Sequence, residues 1–176
     1  AALQYGIGGG APQPSWPPPR GGLFLPSRAR TVYTVRMIEY IAAENIDDRV
    51  LSRAAALLSG GALVALPTDT SWTIACALRS KEGIKRLRRL SGERDERHFT
   101  LICSSIAQIG DYCSLDNTRF RILKRLAPGP YVFVLRTLLG TAKALDIRRK
   151  ELGVRIPDHP VPIAVVEALG APLYSI

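Results

Sequence analysis

The chain is poor in the side chains that hold metals and cross-links. Its 176 residues contain two histidines, His98 and His159, and three cysteines, Cys76, Cys103 and Cys113. The cysteines are widely spaced and form no C-x-x-C, which excludes a thioredoxin-type motif and a disulfide framework and points to a reducing compartment. With so few sulfur and imidazole ligands, no all-protein metal site is expected. Long apolar runs are also missing. Outside the Gly/Pro-rich first 19 residues, the longest uncharged stretch, Ala54–Thr68, is broken by Gly60, Gly61 and Pro67 and is too short to cross a bilayer, so no membrane partner is expected. The phosphate-cradling G-x-x-x-x-G-K-[ST], the zinc-binding H-E-x-x-H and the nucleophile elbow G-x-S-x-G are all absent. No Ser/His/Asp or Cys/His set stands out, so no catalytic residue is assigned.

Negative charge is in short supply as well. Lys and Arg number 24 against 15 Asp and Glu, a formal net charge of +9. A surplus of that size favours polyanions such as nucleotides, RNA or an anionic lipid surface, although plain solubility also accounts for it. No acidic residue precedes Glu39, whereas Arg20, Arg28, Arg30 and Arg36 do occur there. Twelve of the first 26 residues are Gly or Pro. Residues 1–30 therefore read as a disordered Gly/Pro-rich leader, and the remainder, 31–176, as one domain. A basic leader without acidic residues is compatible with a transit peptide, so the expected location is cytoplasmic or an organelle. Gly6, Gly8 and Ala11 match a dinucleotide fingerprint, but no strand precedes them and a proline follows, so the match carries no function.

What is present is a series of short apolar runs between capped helical stretches. Thr31–Met37 alternates as an edge strand. Asn45 or Asp47 caps a helix that Gly60-Gly61 stops. Ala62–Leu66 reads as a strand ended by Pro67, and Trp72–Leu78 as its successor. Ser80 caps a basic helix, Phe99–Cys103 forms a strand, and Ser104-Ser105 starts a short helix. Asp116 or Asn117 caps a further basic helix, and Pro128-Gly129-Pro130 launches a strand over Tyr131–Leu135. A basic helix over Thr141–Lys150, a strand around Leu152–Ile156, a helix over Val161–Leu169 and a last strand, Ala171–Ser175, complete the pattern. Strands alternating with short helices predict an α/β fold with a twisted mixed sheet.

The residues left to carry chemistry are hydroxyls and arginines at element ends. Thr68, Asp69, Thr70 and Ser71 follow one strand, Arg94, Arg97 and His98 lie in or at the end of a polar loop, and Ser175 ends the last strand. Arg155 sits inside the apolar Leu152–Ile156 run, where an unpaired charge is very costly. Two partners satisfy it: an internal carboxylate such as Asp69, or the carboxylate of a bound substrate.

Read in order, Gly61–Ala77 with its PTDT, the loop ending in HFTLI, APGPYVFVL, GVRIPDHP and EALGAPLYSI resemble the YrdC-like family, the threonylcarbamoyl-AMP synthases and their YciO-type relatives. The resemblance covers about residues 45–176, and HFTLIC followed by an Asp-Asn helix start is closer to the YciO-type branch. It implies a single twisted α/β domain with flanking helices and a basic concave face. It also implies a nucleotidyltransferase that converts ATP, L-threonine and bicarbonate, with Mg²⁺, to threonylcarbamoyl-AMP and pyrophosphate for tRNA modification. By motif, Thr70, Arg155 and Ser175 would contact L-threonine, and Arg94, Arg97 and His98 the nucleotide. The alternative is a non-catalytic module of the same fold that binds tRNA or double-stranded RNA.

Two stretches depart from the family pattern. Its K-x-R phosphate motif falls just after Leu90, where this chain has Ser91-Gly92-Glu93, and Arg94 is the substitute one residue on. Its S-x-N motif begins beside Ser175, next to Ile176, and a last strand without a closing element implies a C-terminally shortened domain.

Overall fold

The computed structural model describes residue 39 and residues 45–92, 99–145 and 151–176, within a unit spanning Ile38–Ile176. The leader 1–30 and the edge strand expected over 31–37 lie outside the described residues. The described chain holds six helices and six strands, in the order α-β-β-α-β-α-α-β-α-β-α-β.

Helix α1, Asp48–Ser59, starts where Asp47 accepts the Arg49 N–H at 2.8 Å. Strands β1, Val64–Pro67, and β2, Trp72–Ala77, form an antiparallel hairpin. Pro67 closes β1 rather than following it; β1 lies at the edge of the sheet, where a missing N–H is tolerated. Trp72 opposes it at the hairpin tip and stays exposed. Ser80 caps α2, Lys81–Ser91, and Gly92 ends it at φ 90°. Strand β3 is Thr100–Ile102, and Ser105 caps α3, Ile106–Tyr112. Asp116 caps α4, Asn117–Leu126. Strand β4, Phe133–Arg136, starts two residues later than expected. Helix α5 covers Leu139–Leu145, and residues 146–150 of the longer helix expected there lie outside the described part. Strand β5 is Glu151–Arg155, α6 is Pro160–Leu169, and β6 is Leu173–Ser175.

The strands make one sheet in the order β1-β2-β6-β3-β5-β4, parallel only between β3 and β5. The last strand in sequence is thus interior to the sheet, paired antiparallel to β2 on one side and β3 on the other. Alternation along the strands divides the side chains between two faces. Cys76, Leu101, Val154 and Tyr174 share a core with Ile84 and Leu87 of α2, Ile109 of α3, Leu123 of α4 and Leu145 of α5. Ala75, Ala77, Ile102 and Leu173 face the other way, against Leu58 of α1 and Val161, Val165 and Val166 of α6. Further along this second face the register sets Ser175 beside Thr100 and Thr100 beside Gly153, a row of small side chains.

Candidate functional site

The PTDT segment is a turn knotted by its own first hydroxyl. Thr68 Oγ1 donates to the Ser71 carbonyl at 2.6 Å and accepts the Thr70 and Ser71 N–H groups at 3.2 Å each. Serine and threonine build such turns because the hydroxyl mimics a backbone group. The Thr70 hydroxyl lies 3.2 Å from Thr68 Oγ1. The proton and both lone pairs of Thr68 are already engaged, and the Thr70 oxygen is left to accept.

What it accepts is Arg155. The guanidinium Nη1 donates to Thr70 Oγ1 at 3.0 Å, Nη2 to Asp69 Oδ1 at 2.5 Å, and Nε to the Gly129 carbonyl at 3.1 Å. Both members of the ion pair are largely withdrawn from water, their side chains 13% and 15% exposed for Arg155 and Asp69. Strands β6 and β3 separate β2 from β5, a span of roughly 14 Å at ordinary strand spacing. An arginine side chain does not bridge that distance along the sheet. The β1–β2 turn therefore arches over the second face to meet Arg155, and the α4–β4 loop joins them through Gly129. The internal partner considered for Arg155 from the sequence is formed, and Thr70 is brought to the same guanidinium across 85 residues.

Ser175 is placed differently. It is buried, and its hydroxyl donates to the Thr100 carbonyl at 3.0 Å, so its proton is committed to the sheet while its lone pairs are not. It shares the second face with Arg155 by alternation but makes no hydrogen bond to Thr70 or Arg155. Arg94, Arg97 and His98 lie outside the described residues.

Two contributors, Gly129 and Gly153, escaped the sequence reading, and a third was seen only in part. Asp69 was visible only as a salt-bridge partner, not as half of a charged pair facing the site. Gly129 contributes a carbonyl, which no side-chain pattern announces. Gly153 lies where a Cβ would come within 3.0 Å of Val132 Cγ1 and 3.1 Å of Thr100 Oγ1, so a larger residue would have to push these side chains aside. A glycine inside an apolar strand run is the usual signal of such a close approach. Beneath the row, Phe99 and Tyr174 stack on the opposite face with centroids 4.8 Å apart. Burial raises the Tyr174 phenol, and the Arg88 guanidinium beside it works the other way. Among the described residues no three His, Cys, Asp or Glu side chains gather as a metal site would require, and no helix is long and apolar enough to cross a membrane.

Comparison with known proteins gives one consistent picture. A family model, Sua5_yciO_yrdC, described as telomere recombination, matches residues 56–175. The Escherichia coli protein YciO, described as uncharacterized, is 32% identical over 137 residues, 77% of this chain and 66% of its own. Its crystal structure superposes with a TM-score of 0.69 at 31% identity, covering 75% of this chain and 65% of that one. The threonylcarbamoyl-AMP synthase of Mus musculus is 32% identical over 123 residues, 70% of this chain and 44% of its own. The crystal structure of P. abyssi Sua5 complexed with L-threonine shares the fold, with a TM-score of 0.69 at 21% identity over 75% of this chain and 39% of that one. The chain thus spans just under two thirds of the YciO relative it matches, and less than half of the mouse synthase.

Proposed function

Since the chain belongs to the Sua5/YciO/YrdC family, we propose that it binds L-threonine at the Arg155–Asp69–Thr70 cluster and acts as a threonylcarbamoyl-AMP synthase. The observation that carries this reading is the charged pair. An α-amino acid is a zwitterion, and a guanidinium beside a carboxylate offers one partner for each of its charges. The Arg155 fork holds the substrate carboxylate with the N–H donors that Thr70, Asp69 and Gly129 leave over. Asp69 attracts the ammonium group, and Thr70 and Ser175 supply oxygens that accept.

The chemistry suits a site built for positioning. Bicarbonate loses hydroxide to give carbon dioxide, and the threonine amine, once deprotonated, adds its lone pair to that carbon to form a carbamate. A carbamate oxygen then attacks the α-phosphorus of ATP, the bond to the bridging oxygen breaks, and pyrophosphate leaves. Neither step needs a protein nucleophile. Holding threonine by both charges fixes where its amine points and converts a bimolecular encounter into an oriented one. Arg94, Arg97 and His98, from the segment leading into β3, are assigned to the triphosphate in this reading, and Mg²⁺ arrives as the counter-ion of the nucleotide.

Pyrophosphate release from ATP tests the proposal. Release that requires both L-threonine and bicarbonate is the expected result. No release, or release indifferent to threonine, overturns it.

A second reading rests on charge. Lys81, Lys85 and Arg89 of α2 and Arg121, Lys124 and Arg125 of α4 are exposed, and both helices pack against the face of the sheet opposite the Arg155 cluster. A basic helical layer of this kind suits the phosphate backbone of tRNA or double-stranded RNA without base reading. It is compatible with catalysis at the other face or with its absence.

A further inference from the structure

A crevice opens at the carboxyl ends of β3 and β5, next to Arg155. Strands β3 and β5 are parallel neighbours, yet the helices that follow them part: α3 joins the core of the first face through Ile109, and α6 that of the second through Val165. Where consecutive connections leave a parallel pair in opposite directions, a gap is left at the carboxyl ends of the strands, the usual place for a ligand in open α/β sheets. Here the gap holds about 540 Å³, within the common range for small-molecule sites. It adjoins the cluster described above without sharing a residue with it: Ile156 follows Arg155, and Ala127 and Pro128 form part of its wall next to the Gly129 that binds Arg155.

Its chemistry is unlike that of a phosphate site. Helix α6 points its amino end at the gap, but Pro160 and Pro162 carry no N–H, and the Val161 N–H is taken by His159 Nδ1 at 3.2 Å. The donors that let a helix start bind an anion are therefore missing or used. No lysine or arginine is among its described lining residues, and the one carboxylate there is Asp158, exposed. Because His159 Nδ1 accepts a hydrogen bond, the neutral ring carries its proton on Nε2 and donates from there. The body of the gap is apolar, walled by Ile106, Ile156, Pro157 and Ile163.

We propose that this crevice is a second binding site, one that takes a small organic amine: an apolar ring against Ile156, Pro157 and Ile163, an ammonium group against Asp158, and an oxygen that accepts from His159 Nε2. Neither the fit nor the test depends on the threonine reading.

The test is an NMR titration of the ¹⁵N-labelled full chain with tyramine, and with 4-hydroxyphenylacetate and inorganic phosphate for comparison. Saturable shifts are expected at the Ser104, Ser105 and Ile163 amides. Tyramine should bind about tenfold more tightly than the carboxylate, the sum of one attraction and one repulsion at an exposed charge. Asp158→Asn should remove that preference, and Asp158→Lys should reverse it; both change an exposed side chain and leave the fold in place. Ile163→Trp, which fills the gap, should abolish binding altogether, with the dispersion of the spectrum reporting that it folds. Equal binding of tyramine and the carboxylate, a preference that survives Asp158→Lys, shifts confined to other surfaces, or binding of tyramine at millimolar concentration without saturation would overturn the proposal.

Discussion

Arg155 is the residue on which the candidate site turns, because a single guanidinium gathers β5, the β1–β2 turn and the α4–β4 loop. Lysine at this position keeps the charge, and with it the ion pair to Asp69, but loses the fork that reaches Thr70 and Gly129 together. Arg155→Lys should therefore weaken L-threonine binding about tenfold, as measured by calorimetry, while lowering stability by less than about 1 kcal/mol in denaturant titrations. Unchanged threonine affinity with a large loss of stability would assign the arginine to the scaffold alone. A polar-in-apolar pattern marks Arg155 in the sequence, and physics demands a partner for it. Asp69 can be named there only as a candidate among the chain's 15 Asp and Glu residues, since it and Arg155 lie 86 residues apart.

At the scale of elements, the capping residues carried most of the information. Asp47, Ser80, Ser105 and Asp116 each satisfy an orphan N–H at the start of a helix, a local transaction that side-chain chemistry alone can signal. Strand limits moved by a residue or two, because pairing partners decide where a ladder stops. Gly83 shows how elements constrain one another: within α2 its absent Cβ would stand 2.9 Å from Cys76 Cβ on β2. Gly83→Ala gains about 1 kcal/mol of helix propensity but forces helix and sheet apart, at about 1–3 kcal/mol. A net loss of roughly 1 kcal/mol is expected in urea unfolding, and a gain instead would show that α2 has room to shift.

Over the whole molecule, burial and charge make two further predictions. Burial pushes the Cys76 and Cys103 thiols up to about 12 and Cys113 to about 11, from an ordinary value of 9.0. Raised values in the folded state mean that their contribution to stability is complete below pH 9 and is lost as pH climbs toward 11–12, because the unfolded thiols ionise first. Stability should thus fall across that range, less steeply in Cys103→Ala, and a chromogenic disulfide at pH near 8 should label the thiols only after unfolding. Fast labelling of the native chain would contradict their burial. For the basic layer, neutralising about four phosphates gives a log–log salt slope of roughly −3 to −4 for duplex RNA, readable by titrating a labelled duplex across salt concentrations. Binding that ignores salt, or none at low salt, removes the RNA reading and leaves the small-molecule sites standing.

The sequence by itself determined the alternation of capped helices with short apolar strands, the α/β class that follows from it, and the ordered motifs that point to the YrdC-like family. These are local properties or linear patterns, written in spacing and side-chain type. Only the tertiary structure decided that the last strand lies inside the sheet, that the β1–β2 turn arches over to Arg155, and that α3 and α6 part to open a crevice. Each of these depends on pairings between residues tens of positions apart. Their free energy comes from burying both faces of one sheet at once, and no window of neighbouring residues contains that information.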